Sequence, residues 1–486
     1  MEKEILIQSD EEDTRVAVLE EGRLVEIYFG KYGGLVGNIF KGKVANIIPG
    51  IQAAFVDIGL EKNAFLYAGD VVANKSVSLK HKNDFSSIEY LLKPGQEIMV
   101  QVTKEPLNKK DARLTMQITI PGRFAVLMPY LDHVGVSRKI KDEKEREGLR
   151  AAAAELKPEG MGIIVRTVAE GISPEELYDD IRHLTGMWQE ILEKSEKVSA
   201  PAVLYQERDL VERTVRDLFN EEVVRLQVND RNIYERVCGI LGSNEHQLKN
   251  RIFLCEDVDL FEKYNITPQV MRALRHKVWL KCGGFIIIEH MEALTAIDVN
   301  AGKYTGSRDL EETIFKTNLD AAVEIARQLR LRNIGGIIIV DFIDMAEEEH
   351  RQKVLEVLER ELQKDKTHTK IMGITKLGLV EITRKKEYRP LEGVLLQKCP
   401  CCDGKGKIFS QEALSLSTKK EIANRLKKIH SPALIVKVNP YIAAVLCREG
   451  NGWLKEMEQK TGKRIIVESQ ENLHEEDIIM EELWDN

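Results

Sequence analysis

Two aspartates carry the clearest chemical signal in the chain. Asp298 lies near the end of the apolar, β-branched run Leu294–Val299, and Asp341 directly follows a second run, Ile337–Val340. Carboxylates at the ends of neighbouring strands converge over the sheet edge, where open α/β sheets carry their ligand sites. Neither aspartate has a histidine or cysteine beside it at metal-ligand spacing. Two hard oxygen donors without soft partners suit Mg²⁺ or Mn²⁺, ions that keep several waters and take further ligands from a phosphate. Asn300 follows Asp298 on the same face of an extended strand, where its amide can orient a carboxylate or an attacking water. The alternative is that each aspartate opens a loop or caps a helix. Asp344 is read that way, as an N-cap, because Met345–Ala346–Glu347 and a helical pattern follow it.

The elements that must position these groups lie between Gly283 and Met345. Phe285–Ile288 and Leu294–Val299 flank the polar pair Glu289–His290 and read as paired strands. An amphipathic helix follows, with Phe315, Leu319, Val323 and Ala326 at helical spacing and a capping box from Asp309 to Glu312. Gly335–Gly336 then opens the strand Ile337–Val340, whose unbroken apolar run predicts burial on both faces. A charged helix over Ala346–Asp365 and a single strand in KIMGITKLGLVEITRKK complete the set. Trp279 reads as core, and Cys238, Cys255, Cys282 and Cys447 as buried, inert thiols.

TAIDVN, IARQLRLRNIGG and IIIVDFIDM closely resemble the catalytic core of the ribonuclease E/G family, with matching segments from the N-terminus to the cysteines near 399. The resemblance implies a Mg²⁺-dependent endoribonuclease that cleaves single-stranded RNA in rRNA and tRNA processing and mRNA decay. Asp298 and Asp341 would hold the catalytic Mg²⁺ with Asn300 in support, and the products would carry 5′-phosphate and 3′-hydroxyl ends. The alternative is a noncatalytic S1-type RNA-binding adaptor. The fold class implied is α/β multidomain. An RNase H-like subdomain is built from 1–35 and 210–275, and an OB-type S1 RNA-binding barrel from 36–118. A 5′-sensor region covers 119–209 and a DNase I-like catalytic subdomain 276–398. A zinc-link at 399–409 and a small C-terminal α/β domain at 410–486 complete it.

Other residues fall into place beside that resemblance. In the barrel, Phe55 and Phe65 either fill the core or stack on bases, and Lys109 can meet a phosphate; the family matches make all three RNA contacts. Arg166–Thr167, after the apolar Ile163–Val165, is either a surface ion pair or an arginine fork for a terminal phosphate. The family implies the latter, a pocket for a 5′-monophosphate with Gly122, Val126 and Arg138. The helix from Ser173, with Pro174 at its first turn, carries no chemistry. Residues 207–275 read as helices, and the run Arg384–Lys386 is either a solvated patch or a grip on the RNA backbone.

Cys399 and Cys402, in KCPCCDGKGK, have the spacing of one zinc knuckle, and no second C-x-x-C or histidine pair completes the four ligands Zn²⁺ needs. No thioredoxin-like pattern is read around them, which argues against a redox dithiol. Half a site per chain implies one Zn²⁺ shared by two chains, as in the family's zinc-linked homodimer, with pairing into a tetramer left open. Cys401 leaves the second ligand open between itself and Cys402.

Composition bounds the rest. At 486 residues the chain is long enough for several cored domains, and 43% hydrophobic with 31% charged residues is ordinary for a soluble protein. No run has the length of a membrane span and no signal-peptide core opens the chain, so the expected location is cytoplasmic. Seven cysteines with three crowded at 399–402 do not form a secreted disulfide framework. A net charge of −8 excludes a basic coat but not a local basic groove. The lack of a long scaffold tail points to the family's shorter members.

Overall fold

The N-terminal strands follow their alternation of apolar and polar residues. Lys3–Ser9, Thr14–Glu20 and Arg23–Phe29 form an antiparallel meander. The tight turn between the last two uses Glu21 and Gly22, both left-handed at φ 51° and 72°. In the computed structural model, the described residues are all except 1, 12, 31–33, 73–86, 106–110, 208, 242–245, 303–309, 387–388, 403, 448–451 and 485–486. They divide into two units, Met1–Leu395 and Leu396–Asn486.

Within the first unit, Lys3–Ser9 also pairs in parallel with Val223–Val228, which pairs with Ile252–Leu254, giving a five-stranded sheet. The reading of 207–275 as helices therefore missed two strands. Apolar runs this short cannot be separated from helical segments by periodicity. Ile39–Ile48, Ala53–Asp57, Ala64–Tyr67, Arg113–Thr115 and Glu97–Lys104 form a five-stranded barrel that closes between its first and last strands. Val44, Ala54, Val56, Ala64, Leu66, Val100 and Leu114 fill it. The expected polar insert falls almost entirely outside the described residues. After the barrel, a small sheet packs with helices Glu143–Leu156 and Pro174–Lys197, the second opened by a Ser173–Glu176 capping box.

The sheet bearing the aspartates has six strands, in the order Lys277–Trp279, Phe285–His290, Leu294–Asn300, Gly336–Asp341, Val380–Arg384 and Thr369–Ile374. One face buries Ile286, Ile288, Ile297, Val299, Ile338, Val340 and Ile382 against helices Leu310–Leu331 and Glu348–Leu362. Burial of each such side chain stabilises by about 1.5–3 kcal/mol. The other face is open. Ile337 is 52% exposed there, so the expected two-sided burial of Ile337–Val340 fails. Trp279, expected in the core, is 63% exposed on the edge strand. KIMGITKLGLVEITR proves to be a hairpin, Thr369–Ile374 with Val380–Arg384, turned by the segment that carries Gly378 at φ 83°. The capping aspartate expected at position 309 lies outside the described residues.

The second unit packs helices Gln411–Leu426 and Pro440–Leu446 on a three-stranded sheet. Its central strand, Ala433–Val438, pairs in parallel with Arg464–Ser469 and antiparallel with Ile478–Leu483. Cys447, expected to be buried, is exposed because it only terminates the second of those helices. Cys238, Cys255 and Cys282 are half-buried beside apolar clusters.

Candidate active site

Leu294–Asn300 and Gly336–Asp341 run parallel, and their register sets Asp298 opposite Asp341. Neighbouring strands lie about 4.8 Å apart, so the two carboxylates leave the open face side by side. Both residues are exposed. Asn300 Nδ2 donates to Asp298 Oδ2 at 2.7 Å, which fixes that carboxylate. The donor set, two carboxylates with open room for solvent and a phosphate, fits a hard cation that keeps its waters.

The strand that ends in Asp341 is pinned before its start and after its end. Asn318, 0% exposed, donates from Nδ2 to Ile343 O at 2.8 Å and accepts Ile343 N–H at 3.2 Å. At the other end Arg384 donates to Ile334 O and to Asn333 Oδ1, each at 3.0 Å, while its Nε pairs with Asp365 Oδ2 at 2.7 Å. Arg384 is therefore a buried tie and not part of an RNA-facing run. Sequence reading missed Asn318, although a polar amide close before the buried Ala321 and Ala322 is a usable signal. Asp344 is exposed and does not cap the helix that follows it. Glu347 takes the N-cap position, and the Glu311 carboxylate accepts the N–H groups of Ala346 (3.2 Å) and Glu347 (3.4 Å).

On the barrel, Phe55 and Phe65 are direct cross-strand partners with ring centroids 6.0 Å apart in an edge-on pair. Both are half-buried on the outer side, while their neighbours Ala54, Val56, Ala64 and Leu66 fill the barrel. Tyr67, 39% exposed on the same outer face, extends this patch and was not singled out from sequence. Lys109 lies outside the described residues.

The Arg166 fork is already engaged. Its Nη1 donates to Gly122 O and its Nη2 pairs with Asp217 Oδ1, both at 2.7 Å. Burial pushes the Asp217 carboxyl up, but Arg216 and Arg166 outweigh it and hold it below the usual carboxylate range. Thr167 Oγ1 shares a 2.7 Å hydrogen bond with Ser137 Oγ, and exposed Arg138 follows in the chain. Val126 pairs with Ile164 on the strand that leads to Arg166. Gly122 must be small, because a Cβ there would come within 2.6 Å of the Asp180 carboxylate. Asp180 in turn accepts the N–H groups of Arg123, Phe124 and Ala125 at 2.8–3.2 Å. Neither Asp180 nor Asp217 had stood out in the sequence.

In the second unit, backbone N–H groups of Cys402 and Cys401 point at Cys399 Sγ and hold that thiol below its usual value. Gly406 N–H donates to Cys402 Sγ at 3.3 Å. Cys401 is tied through its backbone instead, its carbonyl meeting His474 Nε2 at 2.8 Å. Among the described residues no group of three or more His, Cys, Asp or Glu is placed to hold a metal ion.

The model of the ribonuclease E/G family matches residues 119–387, and one described as the RNase E/G thioredoxin-like domain matches 398–483. Ribonuclease G of Escherichia coli K12 is 40% identical over 488 residues, covering 99% of this chain and 100% of that relative. The chain belongs to the ribonuclease E/G family. Ribonuclease G of Haemophilus influenzae is 40% identical over 480 residues, 97% of this chain and 98% of that protein. Ribonuclease E of Nostoc sp. PCC 7120 is 41% identical over 411 residues, 84% of this chain and 59% of its own length. As a member of the ribonuclease E/G family the chain is an endoribonuclease acting on RNA, and the noncatalytic adaptor falls away.

The second family match corrects the expectation that nothing thioredoxin-like surrounds the cysteines. The pattern escaped notice because the C-x-x-C precedes the unit's first helix, Gln411–Leu426, rather than following a strand. A cavity of about 930 Å³ in the first unit lies away from the carboxylate pair and is lined by ion-paired side chains such as Glu207, Arg330 and Arg384. No described helix is long and apolar enough to cross a membrane.

Proposed function

We propose that this ribonuclease E/G family member hydrolyses single-stranded RNA with Mg²⁺ held by Asp298 and Asp341. The products would be 5′-phosphate and 3′-hydroxyl ends. The observation that carries this reading is the parallel register that puts the two carboxylates side by side, one of them fixed by Asn300. Bound there, Mg²⁺ would polarise the scissile phosphate and lower the pKa of an attacking water. The chain's own residues hold and orient: Asn300 fixes one carboxylate, and Asn318 and Arg384 fix the strand that carries the other.

Phe55 and Phe65 would stack unpaired bases, which favours single strands over duplexes. A 5′-monophosphate would be taken by the Arg166–Thr167 region with Gly122, Val126 and Arg138, in competition with Asp217 for the guanidinium. One Zn²⁺ shared between Cys399 and Cys402 of two chains would make a homodimer. The N–H groups aimed at Cys399 Sγ favour its thiolate, and the Gly406 N–H aimed at Cys402 Sγ favours Cys402 over Cys401 as the second ligand.

The test is cleavage of a short 5′-phosphorylated RNA with Mg²⁺. Asp298→Asn and Asp341→Asn should each abolish cleavage while RNA affinity stays within a few-fold of wild type. Undiminished cleavage by either variant refutes the metal assignment.

A further inference from the structure

Lys277, Trp279 and Phe285 form a cationic aromatic cluster beside the carboxylate pair. The register runs Trp279 to Phe285 to Asn300 along one line across the sheet. The next line runs Lys277 to Ile287 to Asp298 to Asp341. Residues paired across strands share a face, so these side chains emerge on the open face with Asp298 and Asp341. At about 4.8 Å per strand, the cluster lies roughly 10 Å from the aspartate on its own side of the site.

The chemistry of the cluster is specific. Lys277 Nζ sits 3.6 Å from the Phe285 ring centroid and 4.2 Å from that of Trp279, and the two rings meet edge-on with centroids 5.5 Å apart. No ion pair engages Lys277 among the described residues, so its charge is available to an anion. Trp279 belongs to the sheet's edge strand and is 63% exposed. An indole this exposed gains little from packing in the free protein. An exposed ring with a cation against it, in line with a phosphodiester-cleaving site, has the chemistry of a nucleobase platform with a phosphate contact beside it.

We propose that Trp279, with Phe285 and Lys277, is a stacking subsite for one unpaired nucleobase flanking the scissile phosphate. This deepens the single-strand reading above and rests on it. Trp279 takes the π-face of the base, Phe285 meets the indole edge-on, and Lys277 meets the adjoining phosphate.

The test measures binding of a 5′-phosphorylated single-stranded oligoribonucleotide to the full chain in the Asp298→Asn background, with each nucleotide made abasic in turn. Trp279→Ala should weaken binding roughly 5- to 150-fold, equivalent to about 1–3 kcal/mol for one stacked base. Trp279→Phe should retain most of the affinity, and Trp279→Leu, which keeps bulk without a π-face, should behave like the alanine variant. One abasic position near the cleavage site should cost affinity with Trp279 present and cost nothing further in Trp279→Ala. Lys277→Gln should lower the salt dependence by roughly 0.7, the value for one phosphate on a single strand. Additive penalties at every abasic position, or wild-type affinity in Trp279→Leu, overturn the subsite. Should Asp298→Asn still cleave the RNA, the metal reading fails while the binding cycle still decides the subsite.

Discussion

At the scale of single residues, the carboxylates depend on amides. Asn300 holds one of them directly, and Asn318 holds the backbone just past the other. Asn318→Leu would leave the Ile343 N–H and C=O unpartnered, a loss of roughly 1–3 kcal/mol in stability. It should also lower kcat and raise the Mg²⁺ concentration needed for half-maximal cleavage, with KM for RNA nearly unchanged. An unchanged Mg²⁺ titration would reduce Asn318 to a packing residue. Arg166 supports a second expectation. Arg166→Ala should erase the rate difference between 5′-phosphate and 5′-hydroxyl substrates, and an unchanged ratio would remove the pocket. Because Asp217 already pairs with this arginine, a weak preference for the phosphate in wild type is the expected starting point.

At the scale of elements, the Leu310–Leu331 helix joins the aspartate-bearing sheet to the N-terminal meander through ions as well as apolar contact. Arg330 Nη2 meets Glu20 Oε1 and Glu26 Oε1, each at 2.8 Å. Burial raises the Glu26 carboxyl, but Arg330 outweighs it and brings it down to about 2 from 4.5. A depressed carboxylate binds fewer protons in the folded state. Its stabilisation is therefore complete above about pH 4.5 and fades as pH falls toward about 2. Arg330→Met should cost roughly 3–5 kcal/mol in urea unfolding at neutral pH, because it strands buried carboxylates. The gap from wild type should narrow across that acid window, and a pH-independent gap would point to lost packing instead. Much at this scale was legible in the sequence: the paired strands around Glu289–His290, the long helix and the Ser173 cap all follow from periodicity and capping chemistry. What escaped had a common cause. An apolar run reads as two-sided burial, yet Ile337 stays exposed because the two helices cover only the opposite face of the sheet. Trp279 misled in the same way, since hydrophobicity does not say which side of a sheet a partner will occupy. The hairpin after Thr369 was lost because its turn carries Leu377, an apolar residue that is 84% exposed. At the site, the strand-end aspartates stood out, whereas Asn318, Asp180 and Asp217 act through backbone and ion contacts that no local spacing announces.

For the whole molecule, the proposed zinc-link would make the cysteines set the assembly. One chain presents two thiols where a tetrahedral ion wants four ligands, so the proposed Zn²⁺ ties association to metal. Cys399→Ser should give a zinc-free monomer in sedimentation, and a zinc-free dimer would refute the shared site. The uncovered face that carries the two aspartates has its own consequence for the proposed mode of attack. A tunnel must be threaded from a free terminus, whereas a flat bench takes a thread laid across it anywhere along its length. If the two aspartates cut as proposed, such a bench would let cutting begin mid-chain and let the two fragments slide off sideways without any door having to swing.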